Sequence, residues 1–308
     1  MSAADYRELR LRDGRTLAYA EYGRADGQPI IYCHGSPSSR VEGDLFLHPA
    51  TLADLGLRVI VPDRPGVGRS DFQPGRRIVD WPGDVEQLAD ALHLESFAVI
   101  GESGGSPYAN ACAALMPRRV KALGLIGCLA PPDVPGIVAA MAAPLRIMFR
   151  LARYAPRLLR ALFNLNVRMM AKGGEKAGDR MAASFPEPDR TLLRRPEIRD
   201  GFMNCFREAC RQGPDGAVWD VGLLARPWGF DLSTIAVPSH VWHGEHDGNV
   251  PVMHGRYLAS AIPNCRATFY PDDAHLSVPL NHHREILGSF VAAGLQTRRA
   301  SPFDRDSL

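Results

Sequence analysis

Residues 99–108, VIGESGGSPY, place three glycines around one serine at the end of an apolar run. The apolar residues up to Ile100 predict a buried β-strand, and the small residues from Ser106 to Leu115 predict a helix. The turn between these two elements is therefore short and sharp, and Ser103 lies at its centre. Such a strand–turn–helix unit is typical of a parallel sheet whose strands are connected by helices.

The pattern Gly101-x-Ser103-x-Gly105 has a physical explanation in a turn of this kind. A serine there takes a strained backbone conformation, and side chains two positions before and after it would collide. In return its hydroxyl is exposed, and the following helix directs N–H groups at a developing negative charge. A simple glycine-rich turn and a phosphate-binding loop are the alternatives, but GESGG fits neither G-x-G-x-x-G nor a Walker sequence. Ser103 is therefore our candidate nucleophile.

A serine hydroxyl needs a base, and the base needs an acid that orients it. In this architecture the acid and the histidine come later in the chain, each on a loop after a strand. His275 follows the last predicted strand and Asp247 follows the strand before it, so we predict these two as base and acid. Among the other histidines, His34, His243 and His246 are interpreted as polar structural groups, and His282 and His283 as the start of a helix. Asp247 is favoured over Glu245, Asp272 and Asp273 as the acid, and the last two are expected to shape the turn before His275.

Two backbone N–H groups are needed to stabilise an oxyanion. We predict that Gly104, directly after the nucleophile, supplies one of them. Ser36, in the turn after the strand that ends near Cys33, is predicted to supply the other. The surrounding pocket is expected to be mainly apolar, as ligand pockets usually are. Its candidate residues are His34, Gly35, Glu102, Met148 and Phe149.

Strands and helices alternate at both ends of the chain, which predicts an α/β fold with a mainly parallel sheet covered by helices on both faces. The predicted strands are 6–11, 16–22, 29–33, 57–62, 96–100, 120–129, 237–243 and 266–270. The predicted helices are 44–55, 84–94, 106–115, 250–261 and 283–295. The intervening segment is helical with no strand-like run. We therefore predict a core domain of residues 1–130 and 228–308 and a helical cap of residues 131–227.

The composition is that of an ordinary globular protein. With 36 Lys and Arg against 34 Asp and Glu, the net charge of +2 does not indicate a nucleic-acid partner. The N-terminal residues lack the apolar segment of a secretory signal, and no stretch is convincing as a membrane span. We therefore expect a cytoplasmic protein without stable membrane insertion. A metal site of His240, His243 and His246 is disfavoured. His240 and His243 are three residues apart on a predicted strand, so their side chains point to opposite faces of it.

The sequence resembles the α/β-hydrolase superfamily through five motifs: HGSP at 34–37, DRPGVGRSD at 63–71, GESGG at 101–105, HGEHD at 243–247 and DDAHLS at 272–277. The resemblance implies a mostly parallel eight-stranded sheet, a helical cap between the sixth and seventh strands, and no cofactor. Epoxide hydrolases and haloalkane dehalogenases of this superfamily carry an aspartate nucleophile, so Ser103 disfavours those activities. HGSPS and Gly104 depart from the HGGPG motif and the tryptophan of proline iminopeptidases, so aminopeptidase activity is not expected.

The predicted cap also carries arginines at three- and four-residue spacing: Arg146, Arg150, Arg153, Arg157 and Arg160. Our preferred interpretation is that they form a solvent-exposed face opposite an apolar side. The residues of that apolar side would be Leu145, Met148, Leu151, Leu158 and Leu162. The alternative is a cap surface for anionic substrates or for membranes.

Together these residues predict a serine hydrolase that cleaves a small to medium apolar ester, or a related acyl compound, through an acyl-enzyme at Ser103. Carbon–carbon bond hydrolases, lactonases, thioesterases and cofactor-free perhydrolases of the superfamily use the same three residues, so these activities stay open. A non-catalytic ligand receptor on the same fold is disfavoured, because a receptor has no need of all three residues. The expected partner is a small-molecule acyl substrate, and the sequence does not indicate an oligomeric state.

Overall fold

The computed structural model describes residues 5–292, without the side chains of residues 5, 170–180 and 292. Its strands are β1 Asp5–Arg10, β2 Thr16–Gly23, β3 Gln28–Cys33, β4 Leu57–Pro62, β5 Phe97–Glu102, β6 Val120–Ile126, β7 Ser239–Gly244 and β8 Cys265–Tyr270. Its α-helices are α1 Gly43–Phe46, α2 Pro49–Leu55, α3 Trp81–Ala91, α4 Ser106–Leu115, α5 Ile137–Ala140, α6 Ala143–Tyr154, α7 Pro156–Ala182, α8 Glu187–Leu193, α9 Pro196–Ala209, α10 Asp215–Leu224, α11 Met253–Ala261, α12 Ser277–Asn281 and α13 His283–Ala292.

The eight strands form one sheet in the order β1-β2-β4-β3-β5-β6-β7-β8. β2 is antiparallel to both of its neighbours, β1 and β4, whereas every other neighbouring pair is parallel. The predicted eight-stranded, mainly parallel sheet is thus confirmed. Because parallel strands end at the same edge of a sheet, the loops after β3, β5, β7 and β8 meet there.

The central strand β5 is buried along its whole length, and successive residues face opposite sides of the sheet. Val99 belongs to an apolar cluster with residues of α3, α4 and α11. Ile100 belongs to a second cluster with residues of α2 and α13. Both faces are covered, which explains why the run before Ser103 is continuously apolar rather than alternating.

Helices α5–α10 all lie between β6 and β7, in the segment where the sequence predicts a cap. Phe149 and Leu159 from these helices belong to the same apolar cluster as the core helices α3 and α4. Val221 of α10 belongs to it as well. The division of the chain into core and cap domains stays a prediction, because one apolar cluster runs through both parts.

Several predicted elements differ in the structure. The helices expected over 84–94 and 250–261 are instead Trp81–Ala91 and Met253–Ala261. The helix expected over 44–55 is wrong, because the chain forms two separate helices, α1 and α2. Pro49 lacks the N–H that would continue α1 and instead occupies the first turn of α2. The strand expected over 120–129 ends at Ile126, where Gly127 takes a φ of 51° and turns the chain. The final part of the last predicted helix, 293–295, lies outside the described residues.

Candidate active site

The turn after β5 has the strain that its glycines indicate. Ser103 has a φ of 47°, in the left-handed region that residues other than glycine rarely adopt. A Cβ atom at Gly101 would lie 2.6 Å from Ser106 Cα, and one at Gly105 would overlap the carbonyl oxygen of Cys33. Only glycine fits at these two positions, so the close packing around the turn dictates the sequence on both sides of Ser103.

Three side chains from three loops form one hydrogen-bonded chain. Ser103 Oγ lies 3.0 Å from His275 Nε2, and His275 Nδ1 lies 2.7 Å from Asp247 Oδ2. Asp247 Oδ1 accepts the backbone N–H groups of Asn249 and Val250 at 2.9 and 2.8 Å. These bonds orient the carboxylate towards the imidazole. The loops after β5, β7 and β8 therefore bring together the serine, the acid and the histidine that the sequence selects.

The negative charge of Asp247 and the positive charge of protonated His275 stabilise each other. Burial raises the pKa of Asp247, but the charge of His275 and hydrogen bonds from His243 and His275 outweigh burial and hold that pKa below its ordinary value. Burial lowers the pKa of His275, but Asp247 and Glu102 outweigh burial, so the pKa of His275 is raised. Asp247 therefore stays ionised and favours a proton on the imidazole.

Asp189, in the first turn of α8, is a contact that sequence analysis missed. Its buried carboxylate accepts the backbone N–H of His275 at 3.0 Å, and those of Leu276 and Ser277 at 2.9 Å each. These bonds tie the loop after β8 to the inserted helices and hold His275 in place. The sequence offers only an acidic residue near a helix start, which is common. Nothing in the spacing connects it to a loop 86 residues away.

The candidate oxyanion groups lie side by side. A Cβ atom at Gly104 would lie 3.0 Å from the backbone nitrogen of Ser36, so the two backbones are in contact beside Ser103. Such close approach is possible because Gly104 has no side chain. The two N–H groups predicted to stabilise an oxyanion are therefore neighbours.

Arg64, from the DRPG motif after β4, holds the turn that carries Ser36. Its guanidinium donates to the carbonyl oxygens of His34 and Gly35 at 2.5 and 2.7 Å. It also donates to Asp220 of α10 at 2.7 Å. Both charged side chains are buried. The DRPG motif is visible in the sequence but this role of Arg64 is not, because Asp220 lies 156 residues further along the chain.

Glu102 is a buried carboxyl beside Ser103 and His275. Its Oε1 lies 3.6 Å from His275 Nε2, the same nitrogen that faces Ser103. A side chain at Gly35 would collide with the carboxyl of Glu102 and would also approach that of Glu42, so the two carboxyls are neighbours. Burial raises the pKa of Glu102 well above its ordinary value, and the charge of Glu42 adds to the effect. Glu102 is thus a second acidic group next to the histidine.

A cavity of about 860 Å³ opens above Ser103. Gly35, Glu102, Met148 and Phe149 line it. His34 is not among the lining residues: its ring is fully buried behind the turn, with Nδ1 2.9 Å from the carbonyl oxygen of Gly35. The rest of the lining is mostly apolar and includes Leu145, Phe202, Phe206, Val221 and Leu224 from the inserted helices.

The three histidines considered as metal ligands do not come together as a site. His240 stacks on Trp242 with ring centroids 4.1 Å apart, and His243 Nε2 lies 2.8 Å from the carbonyl oxygen of Val250. His246 is exposed. Within the described residues, no group of three or more His, Cys, Asp and Glu side chains is placed to hold a metal ion.

The chain matches a known family over most of its length. Residues 28–281 match the family model of the alpha/beta hydrolase fold. The chain belongs to this family. The α/β-hydrolase fold and the resemblance carried by the five motifs are thereby confirmed.

Two relatives of this α/β hydrolase are similar to it in sequence along most of their length. The chain is 27% identical over 260 residues to the uncharacterized hydrolase YcgS of Bacillus subtilis, covering 81% of this chain and 84% of YcgS. It is 28% identical to a non-heme haloperoxidase of Rhodococcus erythropolis, covering 85% and 90% of the two chains. The crystal structure of the esterase RhEst1 from Rhodococcus sp. ECU1013 is similar with a TM-score of 0.67 at 20% identity, covering 94% of this chain and 99% of that one.

The family and these relatives show that the protein is a hydrolase. The likeness to RhEst1, at 20% identity, concerns the fold alone. Among the helices of residues 5–292, none is long and apolar enough to cross a bilayer.

Proposed function

We propose that this α/β hydrolase is a serine hydrolase that cleaves small to medium apolar esters through an acyl-enzyme at Ser103. The observation that carries the proposal is the hydrogen-bonded chain Ser103–His275–Asp247 beside the 860 Å³ cavity. A strained serine with a base within 3.0 Å, oriented by a buried carboxylate, is the arrangement of an activated nucleophile. A ligand receptor would need the cavity but not this chain of three residues.

In the first half of the reaction, Ser103 Oγ attacks the acyl carbonyl carbon while His275 Nε2 takes the hydroxyl proton. The carbonyl oxygen becomes an oxyanion, which the N–H groups of Gly104 and Ser36 stabilise. When the tetrahedral intermediate collapses, the leaving alcohol takes the proton from His275 and the acyl group stays on Ser103. Asp247 keeps the imidazole in the tautomer whose proton is on Nδ1.

Water completes the reaction in the same way. His275 Nε2 takes a proton from the water as its oxygen attacks the acyl carbon, and the same two N–H groups stabilise the second oxyanion. Collapse of this intermediate breaks the bond to Ser103 Oγ, which takes the proton back from His275. The carboxylic acid leaves, and each proton removed has been returned.

The apolar lining of the cavity leads to a prediction on chain length. We expect kcat/KM for p-nitrophenyl esters to rise from acetate to butyrate, because Met148, Phe149 and Leu224 can remove the added methylenes from water. Full burial of a methylene contributes about 0.8 kcal/mol, so two of them raise kcat/KM by up to about fifteenfold. Initial rates with acetate, butyrate and octanoate measure the effect.

The outcome of this series also tests the reaction class. A flat profile from acetate to octanoate would contradict an acyl site in the apolar cavity. Absence of turnover with all three esters, together with no labelling of Ser103 by a fluorophosphonate, would overturn the serine hydrolase and favour a receptor.

Replacing Glu102 by Gln is expected to move the acid limb of the pH profile to lower pH. The positive charge of a protonated His275 lowers the pKa of Glu102 against the effect of burial. The resulting carboxylate, 3.6 Å from His275 Nε2, in turn favours the protonated imidazole. Its loss lowers the pKa of His275, so the neutral base needed for attack persists at lower pH. We expect the midpoint of kcat/KM for p-nitrophenyl butyrate to fall by on the order of one pH unit. Steady-state rates across the acid limb measure the shift.

Glu42→Gln is the matched control for this experiment. Removing the charge of Glu42 makes Glu102 easier to ionise, so a carboxylate stays beside His275. The midpoint in this variant is therefore not expected to fall. Equal downward shifts in both variants would show that the effect does not come from the contact between Glu102 and the imidazole.

A further inference from the structure

The helices α6 and α7 carry an unusual exposed surface, which we call the arginine–apolar face. Of the eleven exposed large apolar side chains in the described part of the chain, six lie on it, with exposed fractions from 45% to 76%. They are Ile147, Tyr154, Leu158, Leu162, Leu165 and Met169. Exposed apolar residues are ordinary when scattered, but a cluster of this size marks an interaction surface.

The four apolar residues on α7 form a continuous stripe. Leu158, Leu162, Leu165 and Met169 follow each other at spacings of four, three and four residues, which places them along one side of a helix. The other side of α7 packs against the core through Leu159 and Phe163, which are buried. The stripe is therefore not needed for packing within the fold.

This finding corrects the preferred interpretation of the sequence. Leu158 and Leu162 were expected on the apolar side opposite the arginines. They are 53% and 45% exposed and share the solvent-facing surface with them. Sequence spacing places residues on a helix but does not show which of two apolar sides packs inward.

The charge of the face has one sign. Six exposed arginines lie on the same two helices: Arg146, Arg150, Arg153, Arg157, Arg160 and Arg168. No Asp or Glu occurs in the sequence between Asp133 and Glu175. Within the described residues, Arg160 alone of the six has a carboxylate partner, Asp215. The face thus combines uncompensated positive charge with exposed apolar side chains, the combination found on surfaces that lie on anionic membranes.

The arginine–apolar face also reaches the opening of the active-site cavity. Leu165, Arg168 and Met169 are exposed, and the same three residues line the cavity above Ser103. A surface bound to this face would therefore lie next to the entrance of the cavity. This continuity gives the face a position that suits the delivery of an apolar substrate.

We propose that the arginine–apolar face docks the protein on an anionic lipid surface, from which acyl substrates enter the cavity. The docking is inferred from the charge and the exposed apolar residues of the arginine–apolar face alone. The entry of substrate from the lipid surface also rests on the proposed function. A second copy of the chain is a poorer occupant. Docking through the same face about a twofold axis would bring the arginines of both copies together. An anionic lipid surface complements both the charge and the apolar side chains.

Sedimentation with lipid vesicles tests the docking. We expect the full chain to sediment with vesicles of phosphatidylcholine that contain one-third phosphatidylglycerol, and to stay in solution with phosphatidylcholine alone. The double variant Arg157→Gln/Leu158→Ser removes one charge and one apolar group from the face, neither of which lines the cavity. We expect at least a tenfold weaker partition to the anionic vesicles, and a weaker partition of the wild type at high salt.

The matched control is Arg118→Gln/Leu115→Ser. Both residues are exposed, with Leu115 at 49%. Leu115 is the last residue of α4 and Arg118 lies in the turn after it, outside the face. Partition of the control variant is expected to equal that of the wild type. Circular dichroism and thermal unfolding of the two double variants check that both are folded, whether or not the protein hydrolyses esters.

Several results would overturn the docking. They are no sedimentation with anionic vesicles, equal sedimentation with neutral ones, equal loss in the control variant, or a dimer in solution that Arg157→Gln/Leu158→Ser dissociates. Running the same assay with Ser103→Ala separates the two proposals. Partition retained in that variant supports docking whether or not the wild type hydrolyses esters. If docking holds and ester turnover is absent, only the proposed function fails.

Discussion

Replacing Ser103 by Ala is expected to lower kcat for p-nitrophenyl butyrate by about a millionfold, the loss typical of removing the nucleophile of a serine–histidine–aspartate site. Without Oγ no acyl-enzyme can form, and His275 has no hydroxyl proton to take. The backbone N–H groups of Gly104 and Ser36 remain in place and support only slow attack by water. The variant should fold normally, because alanine removes one oxygen and leaves the strained backbone at position 103 unchanged.

Kinetics, covalent labelling and thermal unfolding together measure this prediction. Labelling by a fluorophosphonate should disappear in Ser103→Ala, while the unfolding temperature stays close to that of the wild type. Ser260→Ala is the control, because Ser260 is exposed on α11 and its hydroxyl donates to the carbonyl of Tyr257. Retention of a hundredth or more of the wild-type kcat in Ser103→Ala would contradict an acyl-enzyme at this residue.

The parts of the molecule that sequence predicts best are those set by neighbouring residues. Gly101 is required by its close contact with Ser106 at the start of α4, and Gly105 by its close contact with Cys33 at the end of the neighbouring strand β3. Both glycines flank Ser103, so the turn can be identified from five consecutive residues. Asp247 and His275 could be selected because each follows a strand, and parallel strands end at one edge of the sheet. The local pattern and the topology are enough to choose these residues.

The parts that sequence does not predict depend on contacts between distant segments. Asp189 binds the loop of His275, and Asp220 binds Arg64, across separations of 86 and 156 residues. An isolated acidic residue in a helix carries no sign of such a partner. These buried ion and hydrogen-bond contacts position the loops of the candidate site, so the inserted helices contribute to the site as well as to the cavity.

The arginine–apolar face is a surface feature that the sequence alone also does not predict. The spacing of its residues indicates an amphipathic pair of helices, but two apolar sides are present on α7. Phe163 is buried and Leu162, its neighbour, is 45% exposed. Which side packs inward is decided by the helices and strands beneath, and only the three-dimensional arrangement brings the exposed side to the opening of the cavity.

Replacing Asp247 by Asn is expected to lower kcat by about ten-thousandfold. The Asn oxygen can still accept the N–H groups of Asn249 and Val250, so the loop keeps its shape. The Asn amide then faces His275 Nδ1 and donates to it, which requires a lone pair on Nδ1 and a proton on Nε2. In that tautomer Nε2 cannot accept the proton of Ser103. Rates with p-nitrophenyl butyrate and the rate of fluorophosphonate labelling should fall together.

Asp272→Asn is the control for this substitution, because Asp272 is an exposed carboxylate in the same loop as His275. Its activity is expected to match the wild type. A fall of less than tenfold in Asp247→Asn would contradict the role of Asp247 in setting the tautomer of His275. Glu102 cannot replace Asp247, because its carboxylate lies 3.6 Å from Nε2 and would hold the proton on the nitrogen that must accept one. Near-normal activity of Asp247→Asn would therefore remove His275 as the base, and not only Asp247 as its partner.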